Sequence, residues 1–111
     1  MRPGLAVTLS ALADDTRRTV IEQLARQPFS AGELADRLDV TPAALTRHLR
    51  VLRQAGLVSV ALDPADSRRH VYSVETAPLE GLTDWAGQLV RFWASQVAAY
   101  AREARRGDAA G

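Results

Sequence analysis

Apolar positions recur at two periods along this chain, and the change of period divides it. Leu5, Leu9 and Leu12 lie at helical spacing and predict a short first helix over about 5–12. Asp14 then stands as an N-cap, with Asp15 in the first turn near the positive end of the helix macrodipole. Val20, Ile21 and Leu24 form the inward stripe of a second helix over about 15–26, which Pro28 ends. Ser30 followed by Glu33 reads as a capping box, opening a third helix whose buried face is Leu34, Ala35 and Leu38. After the short connection Asp39-Val40, Thr41 caps a fourth helix and Pro42 takes its first position, where a missing N–H costs nothing. Gly56 is its natural C′ residue.

Beyond Gly56 the period becomes two. Val58, Val60 and Leu62 point one way, Ser59 and Ala61 the other, which predicts a strand. Asp63-Pro64-Ala65-Asp66-Ser67 has the chemistry of a turn, and Arg69 to Val74 reads as the returning strand, with Arg68 and Arg69 at or beside the hairpin tip. From Pro78 to about Arg105 helical spacing returns, in Leu79, Leu82, Ala86, Leu89, Trp93, Val97, Tyr100 and Ala104. At 1.5 Å per residue that helix is about 40 Å long, more than a domain this small can cover. Residues 107–111 are expected to form a disordered tail. The predicted fold is mainly α with a small β-hairpin wing. Two short helices joined by a tight turn and followed by a hairpin make a winged helix-turn-helix.

Length and composition narrow the function. The 111 residues suit one domain, taken as 1–106, and 47% apolar with 24% charged residues is ordinary for a folded globular chain. No apolar run is long enough to span a bilayer, and Met-Arg-Pro-Gly-Leu does not open a secretory signal, so a cytoplasmic protein is expected. The absence of Cys excludes disulfides and thiolate metal ligands. Without a thiol nucleophile, a ligand cluster or a Gly-rich phosphate loop, nothing marks an enzyme or a cofactor site. All 14 basic residues are Arg, which a GC-rich coding sequence explains without any functional demand.

The net charge of +1 conceals a local asymmetry. Asp14 to Asp39 holds four Arg and six acids, a balance of −2, whereas Thr41 to Gln54 holds three Arg and no acid, a balance of +3. At 100° per residue Leu45, His48, Leu49 and Leu52 share the inner side of that helix. Ala43, Arg47, Arg50 and Gln54 lie opposite, with Thr46 and Arg53 on a flank. An arginine run on a helix is commonly only a solvated face. Here it coincides with a capped turn, an acid-free outer surface and a basic hairpin, all in register. That surface suits a DNA major groove. Arg47 and Arg50 would reach guanine or phosphate, Ala43, Ala44 and Thr46 would allow close approach, and Thr41 would present the helix N-terminus to a phosphate. Arg68 and Arg69 would add wing contacts to the minor groove or the backbone.

The run Leu12-Ala13-Asp14-Asp15-Thr16-Arg17-Arg18 resembles the opening of bacterial ArsR/SmtB-type transcriptional regulators. The segments Thr41-Pro42-Ala43-Ala44-Leu45-Thr46-Arg47-His48-Leu49 and Ala55-Gly56-Leu57-Val58 extend the likeness, as does Arg68-Arg69-His70-Val71-Tyr72. The resemblance implies a homodimer built from the first and last helices and a palindromic operator. Leu5, Leu9, Leu82, Ala86, Leu89, Trp93, Val97 and Tyr100 would then form the dimer interface. Metal-sensing members place Cys on the helix matching Ser30–Leu38, or begin an Asp-x-His motif on the last helix. Here Asp84 is followed by Trp85 and Ala86, so no metal site is expected. Expected partners are double-stranded DNA and a second copy of the chain, with no membrane. A small-molecule effector, a partner protein, or neither would supply the signal. Trp85, Phe92, Trp93 and Tyr100 read first as interface, with an effector pocket between subunits as the alternative. The competing class is a winged helix that binds proteins instead of an operator.

Overall fold

The last helix is so long that it sets the shape of the molecule. The computed structural model describes residues 3–110, with α1 (Pro3–Ala11), α2 (Asp15–Leu24), α3 (Ala31–Leu38), α4 (Pro42–Gln54), β1 (Val58–Asp63), β2 (Asp66–Val74) and α5 (Ala77–Ala110) in order. The molecule measures 76 × 25 × 24 Å, and its radius of gyration is 20.9 Å. A compact chain of this length would have a radius of about 13 Å. Helix α5 accounts for the difference, since 34 residues span about 50 Å.

Each predicted cap is present. The Asp14 carboxylate accepts the Arg17 N–H, Ser30 and Glu33 close the capping box, and the Thr41 hydroxyl accepts the Ala44 N–H. Asp39 ends α3 in the left-handed region at φ 53°, which a short polar residue tolerates, and Gly56 follows α4 at φ 73°. These two reversals let α3, α4 and β1 fold back on one another. Their inner faces and α2 close a core around Val20, Leu34, Leu45, Leu49, Leu52 and Leu57, each under 2% exposed. Phe29 joins this core and pairs its backbone with Tyr72 of β2, through N–H···O bonds of 3.2 and 2.8 Å. Nothing in the local sequence pattern announced that bridge, because it joins residues far apart in the chain.

Five expectations need correcting. In α1 the buried positions are Leu5, Thr8 and Ala11, while Leu9 is exposed. Thr8 is accepted there because its hydroxyl donates to the Gly4 carbonyl at 2.9 Å. Helix α2 stops at Leu24, one turn short of Pro28. The hairpin turns at Pro64-Ala65, so β2 starts at Asp66 rather than at Arg69, and Arg68 and Arg69 lie within the strand beside the tip. Leu62 is 52% exposed despite its alternation with Val60, because the wing has by then left the core. Finally, α5 runs past 105 to Ala110 and takes in most of the segment expected to be disordered. Alanine favours helix and Gly107 costs only about 1 kcal/mol there, with no proline to stop the run. Gly111 lies outside the described residues.

Candidate nucleic-acid interface

Helix α4 is held by its inner face and free on its outer one. Leu45, Leu49 and Leu52 are at most 2% exposed, whereas Ala43, Thr46, Arg47, Arg50, Arg53 and Gln54 are exposed and Ala44 is half-buried. Among the described residues no carboxylate pairs with Arg47, Arg50 or Arg53. The contrast with other arginines is chemical. Arg37 stacks 4.6 Å from the Phe29 ring and donates to Gln23, Arg18 is paired with Asp15, and Arg69 is paired twice. The guanidiniums of α4 therefore keep their donors for an external acceptor, and the acid-free outer surface adds positive potential.

The first turn of α4 offers less than its sequence suggests. Thr41 takes the Ala44 N–H at 3.2 Å, its carbonyl takes the Leu45 N–H at 3.0 Å, and Pro42 has none. Within the turn, that leaves the Ala43 N–H for a phosphate. The Thr46 hydroxyl donates to the Pro42 carbonyl at 2.8 Å, so its proton is already used within the helix.

On the wing the two arginines separate. The Arg68 side chain is 93% exposed and only loosely tied, with Nε 3.7 Å from Asp66. Arg69 is committed to Glu33 of α3 and to Asp63 of β1, the latter at 3.2 Å. It braces the wing, and more of its donors are taken up within the chain than those of Arg68. Sequence spacing had no means of finding this, because Glu33 lies 36 positions away.

The opposite end of the molecule is apolar. Leu89, Trp93, Val97 and Tyr100 are 52%, 69%, 48% and 80% exposed on one side of α5, and Ala86 is exposed with them. Phe92 and Val90, absent from the sequence-derived stripe, are exposed to a similar degree. Leu9 is also open to solvent. Leu5 is already buried within its own chain and Leu82 half-buried beside it, both lining a cavity of about 340 Å³ between α1 and the start of α5. His48 is half-buried and bonded to Arg17, and His70 lies on β2. Among the described residues no three His, Cys, Asp or Glu side chains converge on a point where a metal ion could bind. No described helix is long and apolar enough to cross a membrane.

Known proteins share this fold. Residues 12–61 match the helix-turn-helix domain family. The chain is 44% identical over 93 residues to the HTH-type transcriptional regulator Rv2034 of Mycobacterium tuberculosis, covering 83% of this chain and 80% of that one. It is 28% identical to the transcriptional repressor SdpR of Bacillus subtilis, over 68% of this chain and 80% of the relative. Among solved structures, an ArsR-like transcriptional regulator from Rhodococcus sp. RHA1 superposes with a TM-score of 0.73 at 31% identity, over 86% and 88% of the two chains. The ArsR family transcriptional regulator RHA00566 superposes at 0.74 with 27% identity, over 86% and 96%.

Proposed function

The chain belongs to the ArsR/SmtB-type family of winged helix-turn-helix, DNA-binding transcriptional regulators, and from that premise we propose that it is a cytoplasmic repressor that binds a palindromic operator as a homodimer. The observation that carries the reading is the outer face of α4, where Arg47, Arg50 and Arg53 stand exposed without a carboxylate partner among the described residues. Arg47 and Arg50 make base and phosphate contacts in the major groove. Ala43, Ala44 and Thr46 let the helix approach closely, and the α4 N-terminus at Thr41 sits on a phosphate. Arg68 reaches the backbone from the wing.

The second copy is supported by α5. Each large apolar side chain it exposes stabilises an interface by about 1.5–3 kcal/mol when fully covered. A stripe of that length left in water is an aggregation hazard. Leu9, Ala86, Leu89, Trp93, Val97 and Tyr100 provide the surface, with Phe92 and Val90 beside them, and the domain 1–106 holds both activities. Two α4 helices about 34 Å apart then meet successive major grooves on one face of the duplex. Repression follows from occlusion of a promoter. Metal has no part in this reading, since the sequence lacks Cys and His48 is occupied by Arg17.

DNase footprinting of the DNA upstream of the gene, with sedimentation of the purified protein, tests the proposal. A protected two-fold symmetric site and a species of twice 12.0 kDa are expected. A stable 12.0 kDa species, or protection without symmetry, would refute the dimeric reading.

A further inference from the structure

Arg17 joins three elements through one guanidinium. Its Nε donates to the Ala11 carbonyl at 2.6 Å and its Nη2 to the Ser10 carbonyl at 3.4 Å, at the C-terminal end of α1. Its Nη1 lies 3.4 Å from Nδ1 of His48, on the inner side of α4 next to Arg47. A guanidinium has donors and no acceptor, so a hydrogen bond between the two needs the His48 tautomer with its proton on Nε2. Asp14 completes the cluster, its Oδ1 accepting the Arg17 N–H at 3.0 Å and lying 3.9 Å from His48 Nδ1.

This contact matters because, of the described residues, the only buried α1 side chain in the core cluster that holds Leu45, Leu49 and Leu52 of α4 is the small Ala11. Between the two helices runs an open groove of about 350 Å³ lined by Ala6, Val7, Ser10, Val51, Gln54 and Ala55. Among the described residues no hydrogen bond or ion pair joins α1 to α4 directly, and Arg17 supplies the polar link. The neighbouring arginine supplies an internal comparison. Arg18 donates to the Leu12 carbonyl at 2.7 Å and pairs with Asp15, but it faces solvent and makes no bond to α4.

We propose that Arg17 is a positioning residue for DNA recognition. Through His48 it fixes the attitude of α4 relative to α1, and so the separation of the two reading helices across a dimer. The inference rests on the homodimeric reading above. A guanidinium suits the task because its planar fork constrains direction as well as distance, which a lysine ammonium does not.

The test uses the full-length protein and a symmetric duplex that it selects from random DNA, plus versions with one base pair added or removed between the half-sites. Each such change moves the half-sites by about 3.4 Å and rotates them by about 35°. Wild type is expected to disfavour both altered duplexes by about tenfold or more, comparable to a mismatched base pair. Arg17→Ala, Arg17→Lys and His48→Ala are expected to flatten that preference while leaving single half-site affinity unchanged. Arg18→Ala should retain it. His48→Asn, which keeps an acceptor at the same distance from Cβ, should restore most of it. Should Arg17→Ala fail to fold, Arg17→Lys carries the test. Wild-type spacing preference in dimers of the Arg17 variants, or an equal effect of Arg18→Ala, overturns the inference while sparing the dimer. A wild-type protein that sediments as a monomer or ignores spacing overturns the homodimeric reading itself.

Discussion

Arg69 of the wing is ion-paired with Glu33 in the first turn of α3, so a single carboxylate serves two structures. The same Glu33 Oε1 accepts the Ser30 N–H at 3.2 Å and the Ser30 hydroxyl at 2.9 Å, closing the capping box of α3. The attitude of the wing is thereby referenced to the start of the helix-turn-helix. Of two adjacent arginines, one became scaffold and the other stayed exposed, tied only loosely to Asp66.

Arg68→Ala and Arg69→Ala should therefore differ in kind. Arg68→Ala is expected to leave thermal stability unchanged and to reduce the slope of log affinity against log salt by about one phosphate contact. Arg69→Ala should lower stability by up to about 1 kcal/mol, small because the pair is partly exposed and screened. Thermal melts and salt titrations of DNA binding separate the two. Equal salt slopes in both variants would contradict the assignment.

Arg47→Ala should weaken specific binding by about 1–3 kcal/mol and relax the sequence preference at one base-pair position. Competition binding against a set of single-position operator variants measures both quantities. A loss spread evenly over all sequences would instead make Arg47 a phosphate contact.

Trp93→Asp places a charge in the middle of the exposed α5 stripe, 69% open in the single chain. A buried unpaired carboxylate is costly, so the variant is expected to sediment as a 12.0 kDa monomer and to lose operator affinity, while its melting behaviour keeps a folded core. Sedimentation velocity and circular dichroism read the outcome. Retention of the dimer would move the interface elsewhere.

Asp14 gives the fold a defined response to acid. Its carboxyl is held below the ordinary value of 3.8, first because it accepts the Arg17 backbone N–H and then because His48 and the Arg17 guanidinium lie close. A lowered folded value means the contribution is present above 3.8 and disappears as pH falls through the folded value. Asp14→Asn keeps a capping side chain without the charge. Its melting temperature should fall less steeply than that of wild type once pH drops below 3.8. Parallel curves over that range would show that Asp14 carries no such linkage.

Much of the fold was legible because its signals are local. Caps at Asp14, Ser30 and Thr41, the glycine at 56 and the switch to period two at Val58 each act within a few residues of chain. The outer face of α4 was legible for the same reason, since helical geometry alone puts Arg47 and Arg50 opposite Leu45 and Leu49. Legibility failed where residues distant in sequence meet. Leu9 and Leu5 look alike in a helical pattern, yet the packing of α1 buries one and exposes the other. Leu62 fits a buried alternation that the projecting wing does not honour.

The sequence by itself determined the order of elements, their ends and the chemistry of the reading face, because hydrogen-bond capping and side-chain periodicity are decided over one or two turns. Only the tertiary structure decided which arginines are available. Arg17 and Arg69 resemble Arg47 and Arg68 as letters, and become scaffold only because folding brings His48 to the first and Glu33 to the second. An ion pair or hydrogen bond depends on distance in space, a quantity that sequence separation does not carry.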